Sequence, residues 1–286
     1  MTVDVEDYFQ VAALAQSINT DQWDTIPTRV VDNTTRLLDL FDQHQVKVTH
    51  FVLGWVADKH PEIVREIHSR GHEVASHGYS HQLIYQQSPD VFRQETLRSK
   101  SLLEDIIGAP VKGYRAASYS ITKRSLWALD ILSEAGFTYD SSIFPIVHDR
   151  YGIANSPRQP YYIECQNGAQ LLELPLSTES VFNQTIPIAG GGYFRLYPYW
   201  FTRWLYKRRV KKQQPFIFYL HPWEIDHQQP KVEVSWFSKF RHYNNLDKCE
   251  QRLQQLLQEF KFGAMTDYIA TLDLNALAQQ PIKFES

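Results

Sequence analysis

The sequence predicts an α/β protein whose parallel strands alternate with helices and curl into a barrel-like sheet. Strand-like and helix-like segments alternate as far as about residue 140, joined by connections of ordinary length. Polar clusters follow several of these strands, and in such barrels the chemistry collects at the carboxyl ends of the strands. We therefore expect one α/β domain with a single site at that edge of the sheet.

Composition sets the size of the core and the class of partner. The chain has 286 residues, 43% of them hydrophobic, which is enough for one barrel-sized domain. Its net charge of −3 gives no general attraction to nucleic acid or to anionic membranes. The basic run 203–212 is interpreted as a solvated helix face, with a groove for an acidic polymer as the alternative. Cys165 and Cys249 are too few for a disulfide framework.

The N-terminal residues lead straight into strand-like sequence, without the pattern of a signal peptide. No apolar run reaches membrane-spanning length, so we expect no transmembrane segment. These two observations predict a cytoplasmic protein. A missing extension ahead of Met1 is the open alternative.

The first half of the chain is typical of strands and helices in alternation. Val3 and Val5 alternate with acidic residues, which indicates a short strand that ends in carboxylates. Asn33 and the two threonines after it are predicted to cap a helix, and Gly71 to end another. Strands are predicted at 46–55, 72–76 and 111–116, and helices at 61–70, 88–107 and 123–135.

The second half is less regular. It contains no internal repeat, low-complexity segment or clear linker, so we expect one domain with decorated loops. An apolar strand is predicted to end at His221. The predicted elements are a strand at 171–176, a flexible loop at 190–195, a helix at 198–212, a strand at 216–220 and a helix at 246–260.

His77 and His81 are the centre of the predicted site. On a helix they would lie one turn apart, so that both imidazoles reach one metal ion. Two histidines at this spacing are weak evidence alone, but acidic residues at positions 4, 6 and 7 offer a third ligand. Two imidazoles and one carboxylate, with a position left open for water, are typical of a catalytic zinc centre.

Strand geometry separates the three acidic residues. Asp4 and Glu6 point to the same side of a strand, whereas Asp7 points away unless the chain has turned. We expect one of the first two to bind the metal and the other to accept a proton from water, with Asp7 as the rival ligand. A solvated acidic chain end is the alternative explanation.

Two more polar residues follow predicted strands. Arg115 is expected to pair with a first-strand carboxylate and keep it ionised, although a purely structural salt bridge would look the same. His221 needs a partner at the end of its apolar strand, and Asp140 is the candidate that would orient the ring. His221 would then be a general acid; the alternative is a core histidine bonded to the backbone.

Five clusters together resemble the polysaccharide deacetylases, the NodB homology domain of carbohydrate esterase family 4. In that family's motif order they are residues 2–7 (TVDVED), 77–81 (HGYSH), 113–119 (GYRAASY), 139–142 (YDSS) and 219–221 (YLH). The segment 241–246 (RHYNNL) is similar to the C-terminal extension of deacetylases encoded with bacterial exopolysaccharide and exosortase systems.

The resemblance implies a distorted (β/α) barrel of about seven units over residues 1–222, with an extension, 223–286, packed on the same domain. It implies a divalent metal, commonly zinc, in an enzyme that removes acetyl groups from N-acetylhexosamine residues of a bacterial polysaccharide. The ligand set also suits cobalt and nickel. By carry-over the metal ligands are Glu6, His77 and His81, and the catalytic residues are Asp4, Arg115, Asp140 and His221.

Side chains near the motifs are candidates for substrate contacts. Tyr79, Tyr119 and Trp223 offer rings that stack on sugars. Arg195 would face an acidic sugar or a carbonyl group. No nucleic acid is expected as a partner, and the sequence does not predict the oligomeric state.

Two positions depart from the family pattern. Val5 follows Asp4 where the usual motif has two adjacent aspartates, so Glu6, or else Asp7, takes the place of the second acid. Ala117 stands where the third motif carries a proline, which loosens a turn near the expected oxyanion position. An amidohydrolase acting on small cyclic ureides and a catalytically weak glycan-binding homologue are the alternative functions.

Overall fold

The computed structural model describes residues 1–15 and 17–284, and it confirms an α/β fold built on a curled, mostly parallel sheet. The strands are β1 (Thr2–Val5), β2 (Thr49–Val52), β3 (Glu73–Ser76), β4 (Gly113–Tyr114), β5 (Tyr139–Asp140), β6 (Tyr161–Glu164), β7 (Gln170–Glu173), β8 (Thr178–Val181), β9 (Gln184–Pro187) and β10 (Tyr219–Leu220).

Helices pack around this sheet. They are α1 (Val30–Gln43), α2 (Gly54–Lys59), α3 (Pro61–Ser69), α4 (Pro89–Ile107), α5 (Trp127–Glu134), α6 (Gly191–Leu196), α7 (Tyr199–Lys211), α8 (Trp236–Tyr243), α9 (Leu246–Glu259), α10 (Met265–Ile269) and α11 (Leu274–Ala278). No helix in residues 1–15 and 17–284 combines the length and the apolarity needed to cross a membrane.

The strand order is β10-β1-β2-β3-β4-β5-β7-β6, and every neighbouring pair is parallel except β6–β7. Seven parallel strands therefore form the barrel-like sheet, in agreement with the predicted distorted (β/α) barrel. Strands β8 and β9 form a separate hairpin. Because the long strands are parallel, their carboxyl ends meet at one edge, where the site is expected.

Side chains on the strands alternate between two apolar layers. On β1, Val3 and Val5 pack into the larger cluster, between sheet and helices, while Asp4 turns to the inside of the curled sheet. Phe51 on β2 and Leu172 on β7 belong to the inner cluster. Because side chains alternate along a strand, Asp4 of β1 points into the barrel.

Two local predictions are wrong, each for a tertiary reason. Helix α1 begins at Val30 rather than after Asn33, because the Asp7 carboxylate accepts the N–H groups of Arg29 and Val30 at 2.7 and 3.0 Å. A cap supplied from a distant segment leaves no local sequence signal. The segment predicted as a flexible loop at 190–195 instead forms α6, which starts directly after Gly190.

The C-terminal segment packs against the amino ends of the first strands. Met265 N–H donates to Thr49 Oγ1 at 2.7 Å, and Thr266 N–H donates to Glu73 Oε2 at 3.1 Å. The domain boundary at residue 222 stays a prediction, and the last two residues of the 223–286 extension lie outside the described part of the chain.

We expect Gly190→Ala to lower the free energy of unfolding by ~3 kcal/mol or more. Gly190 has φ 116°, and a Cβ there would lie 2.1 Å from the Tyr219 carbonyl oxygen. Gly136→Ala is the matched control, because Gly136 also has a positive φ, 79°, but open space around it. That change should cost ~1–2 kcal/mol. Urea unfolding measures both, and equal losses would contradict the close approach.

Candidate active site

The carboxyl ends of β1, β3, β4 and β10 surround a cavity of about 200 Å³. Its walls carry most of the polar residues that the sequence singles out. They include Asp4, Glu6, His77, His81, Tyr119, His221 and Trp223. The site therefore lies at the predicted edge of the sheet.

Glu6, His77 and His81 form a candidate metal-binding cluster in this cavity. Their ligand atoms all lie within 4.8 Å of one another. Among the described residues, the buried Glu6 Oε2 has no hydrogen-bond donor, although His81 Nε2 lies 2.5 Å away. An orphaned carboxylate oxygen between two imidazoles fits a bound divalent cation.

The orientation of His77 is fixed by the backbone. His77 Nδ1 lies 2.9 Å from the carbonyl oxygen of Arg115, to which it donates in the tautomer that leaves Nε2 free. A second hydrogen bond of this kind is usual for a metal-binding imidazole. Burial lowers the pKa of His77 to about 4, so the ring is neutral and able to bind a cation at neutral pH.

The two histidines do not lie on a helix. Strand β3 ends at Ser76, and residues 77–83 are irregular. His81 has φ 55°, in the left-handed region, and the two ring centroids are 5.4 Å apart. The idea that a helical turn brings the two imidazoles together is therefore wrong. They are brought together by the end of a strand and the tight loop that follows it. Such backbone strain is common at functional sites.

Asp4, Glu6 and Asp7 separate as strand parity predicts. Glu6 lines the cavity beside Asp4, whereas Asp7 turns away. The Asp7 carboxylate accepts the N–H groups of Tyr8, Arg29 and Val30. Burial raises its pKa to about 6, even though these three donors oppose the shift. Asp7 is thus engaged in capping α1 and does not reach the histidines.

Arg115 forms the expected ion pair with a first-strand carboxylate. Its guanidinium is 0% exposed, and Nη1 donates to Asp4 Oδ1 and to Thr2 Oγ1, each at 2.7 Å. The other nitrogens donate to the carbonyl oxygen and the hydroxyl of Ser141. The Tyr119 hydroxyl donates to Asp4 Oδ2 at 3.2 Å. Both oxygens of Asp4 are therefore held by donors.

The partner of His221 is Glu224, and the predicted pairing with Asp140 is wrong. His221 Nδ1 lies 3.0 Å from Glu224 Oε2, and Arg195 Nε donates to Glu224 Oε1 at 2.6 Å. His221 Nε2 faces the cavity, 3.5 Å from Glu6 Oε1. Burial alone would lower the pKa of His221, but the Glu6 and Glu224 carboxylates outweigh it and raise the pKa to about 9.

Asp140 lies too far across the sheet to reach His221, because four strands separate β5 from β10. It instead accepts the Ser142 hydroxyl at 2.6 Å, and Ser142 Oγ in turn accepts the Ala116 N–H at 2.8 Å. Burial raises the pKa of Asp140 to about 6. The Asp140 carboxyl thus braces the turn that follows β4.

Two of the four predicted substrate contacts have partners within the protein. The Tyr79 hydroxyl donates to Asp58 at 2.8 Å, and its ring, covered by the Arg98 guanidinium, lies outside the cavity walls. Arg195 lines the cavity, but it is 2% exposed and its guanidinium donates to Glu224 and to three backbone carbonyls. It holds the partner of His221 instead.

Tyr119 and Trp223 do line the cavity. Tyr119 contacts Asp4, and Trp223 stacks on His221 with centroids 5.0 Å apart and donates Nε1–H to Glu6 at 3.3 Å. Sequence reasoning missed Glu224, whose signal is a carboxylate three residues after His221 on a proline-initiated turn. It also missed Tyr151, Arg241 and His242, which reach the cavity from distant segments without a local signal.

Comparison with known proteins gives two family matches. Residues 21–139 match the sequence model of the polysaccharide deacetylases, and residues 141–270 match a domain of unknown function, DUF3473. A peptidoglycan-N-acetylglucosamine deacetylase of Bacillus cereus is 34% identical over 98 residues, which are 34% of this chain and 36% of that protein. The chain spans less than half the length of the curated relatives that it matches.

Solved structures show the same fold. A Mycobacterium smegmatis protein assigned to the polysaccharide deacetylases has a TM-score of 0.65 at 20% identity, over 100% of this chain and 92% of that chain. An allantoinase has a TM-score of 0.55 at 18% identity, over 84% of this chain and 72% of that chain. At these identities the likeness concerns the fold alone.

We expect Arg195→Met to destabilise the fold by ~3–5 kcal/mol, because it removes the buried guanidinium that pairs with the Glu224 carboxylate. Burial opposes ionisation of Glu224, but Arg195 and His221 lower its pKa from 4.5 to about 2. A lowered carboxylate pKa contributes stability that is complete above pH ~4.5 and is lost as the pH falls towards 2. The difference between variant and wild type should shrink over that window in urea unfolding.

Arg203→Met is the matched control for this change. Arg203 pairs with Glu259 on the surface, with its side chain 46% exposed, so its removal should leave the unfolding midpoint nearly unchanged. Equal effects of the two substitutions, or a pH-independent loss for Arg195→Met, would contradict the role of the buried pair.

Proposed function

From the match of residues 21–139 to the polysaccharide deacetylase family we propose that the protein is a metal-dependent hydrolase. It removes acetyl groups from N-acetylhexosamine residues of a bacterial polysaccharide and releases acetate. The observation that carries the proposal is one cavity in which Asp4 and His221 flank the Glu6–His77–His81 cluster. The name of the Bacillus cereus relative supports the choice of substrate.

Glu6, His77 and His81 are the residues that would hold the metal, which is zinc or, with the same ligands, cobalt or nickel. A bound divalent ion supplies Lewis acidity, which polarises the amide carbonyl and makes a water molecule more acidic. The hydrogen bond from His77 Nδ1 to the Arg115 carbonyl supports this assignment, because it leaves Nε2 available as the ligand atom.

Asp4 is the general base in this proposal. Its carboxylate accepts a proton from the water that attacks the acetyl carbon. Arg115 donates to one carboxylate oxygen, and Tyr119 donates to the other. The Ala116 N–H already donates to Ser142, so the N–H groups of Ala117 and Ser118 are the backbone donors proposed for the oxyanion.

His221 is the general acid. It gives the Nε2 proton to the sugar nitrogen as the bond between that nitrogen and the acetyl carbon breaks. Glu224 is a positioning residue, because its carboxylate holds Nδ1–H at 3.0 Å and keeps the ring protonated. Arg195 donates to Glu224 and so positions His221 indirectly.

We expect about one divalent metal ion per chain, measured by elemental analysis after dialysis. Glu6→Ala and His77→Ala should lose the ion, because each removes one of three ligands. Asp7→Asn is the matched control and should retain it, because Asp7 only caps α1. Loss in Asp7→Asn with retention in Glu6→Ala would contradict the assignment. If the wild-type protein takes up no zinc, a glycan-binding protein would be the better description.

Acetate release from N-acetylglucosamine oligosaccharides tests the reaction itself. We expect Asp4→Asn to lower kcat by ~10²–10⁴-fold, the usual contribution of a general base. Glu224→Gln should lower kcat by roughly 10–100-fold and leave KM nearly unchanged, because it disorients the acid without touching the sugar. Arg65→Gln, an exposed position, is the control. A metal-loaded protein that releases no acetate but opens a cyclic ureide would contradict the proposal.

A further inference from the structure

A second cavity, of about 400 Å³, opens onto the first. The two cavities share six lining residues, so together they form one continuous groove. The shared residues are Ala12, Ser118, Tyr151, Gly192, Tyr219 and Arg241. We call the second space the arginine–aromatic cavity, after Arg150, Arg241, Phe237 and Phe240 in its walls.

The arginine–aromatic cavity is positively charged. Arg150 and Arg241 line it, and no aspartate or glutamate among the described residues does so. Neither guanidinium forms an ion pair within the described part of the chain, and that of Arg241 lies 4.2 Å over the Phe237 ring. Burial is the main cause of the lowered pKa of His148. Arg241 and Arg150 lower this pKa further, against the opposing effect of Asp149, so both positive charges act on the same region.

One wall of this cavity is a stack of nearly parallel rings. His148 stacks on Tyr151 at 3.7 Å with an interplanar angle of 10°, and Tyr151 is parallel to Phe144 at 5.9 Å. Helix α8 also lines the cavity, through Phe237 and Phe240, which are 54% and 41% exposed. Exposed rings in a groove bind the apolar faces of sugars at little cost in ordering, because an aromatic side chain has few rotatable bonds.

We propose that the arginine–aromatic cavity binds the sugar next to the one that is deacetylated, and that this neighbouring sugar carries a carboxylate held by Arg150 and Arg241. The inference rests on the proposed function, and it narrows the substrate to an acidic polysaccharide with alternating sugars. Guanidinium groups match carboxylate geometry through paired hydrogen bonds. The rings orient the sugar, and the arginines select its charge.

A neutral homopolymer would leave these two charges without a partner in the groove. Unpaired arginines on an open surface are common and need no explanation. These two instead line the space that leads directly to Asp4 and His221, where a polymer must lie to be deacetylated. The carboxylate has two chemical sources, a uronic acid or a lactyl ether on an amino sugar, and the test distinguishes them.

Binding is measured by calorimetry on the metal-loaded Asp4→Asn protein, which should hold substrate without turning it over. The first probe is a tetrasaccharide of N-acetylglucosamine alternating with glucuronic acid, and the second alternates it with N-acetylmuramic acid. Each is compared with its own methyl ester, which keeps the linkage and removes the charge. We expect one acid to bind at least ~10-fold more tightly than its ester, and that probe identifies the source.

Arg150→Gln and Arg241→Gln, each combined with Asp4→Asn, should remove most of this preference. Arg65→Gln, also exposed and outside the groove, should keep it. With the base restored, the two substitutions should raise KM for the preferred acid by a larger factor than KM for its ester.

Acid and ester bound equally in both pairs, or a preference untouched by both substitutions, would overturn the inference. The proposed function fails separately, if the wild type releases no acetate from any of these probes or from N-acetylglucosamine tetramers. Calorimetry measures binding and acetate release measures turnover, so a failure of the inference can be told apart from a failure of the proposed function.

Discussion

The burial of Arg115 is the constraint on which the rest of the site depends. A guanidinium with no exposed surface is stable only when an opposing charge and hydrogen-bond acceptors surround it. Asp4 supplies the charge, and oxygens of Thr2 and Ser141 supply the remaining acceptors. Because these partners belong to β1 and to the segment after β5, the arginine joins distant strands across the inside of the barrel.

The same residue also orients the metal-ligand cluster. The Arg115 side chain holds the carboxylate of Asp4, the proposed base, and its backbone carbonyl accepts from His77 Nδ1. The proposed base and the candidate metal ligand are therefore both held by the residue that directly follows β4. His221, the proposed acid, is held separately through Glu224 and Arg195. The site is therefore built from two independently supported halves.

Strand geometry explains how much of this site could be predicted from sequence. Asp4 and Glu6 share a face by parity, and His77 and Arg115 follow parallel strands whose carboxyl ends converge. The pairing of His221 could not be predicted in that way, because it depends on how far β5 lies from β10 within the sheet. The arginine–aromatic cavity could not be predicted from the sequence either, because Arg150 and Arg241 come to line one cavity only through tertiary folding.

Arg195 donates to the backbone carbonyls of Arg241, His242 and Asn244, the turn of chain that ends α8. The side chain of Arg241 leaves the same turn toward the second cavity. Backbone carbonyls are present whatever the side chain, so substitutions in this turn leave the acceptors of Arg195 in place as long as the backbone keeps its path. A change in that path would move these acceptors and Arg241 together, and it would reach Glu224 and His221 through Arg195.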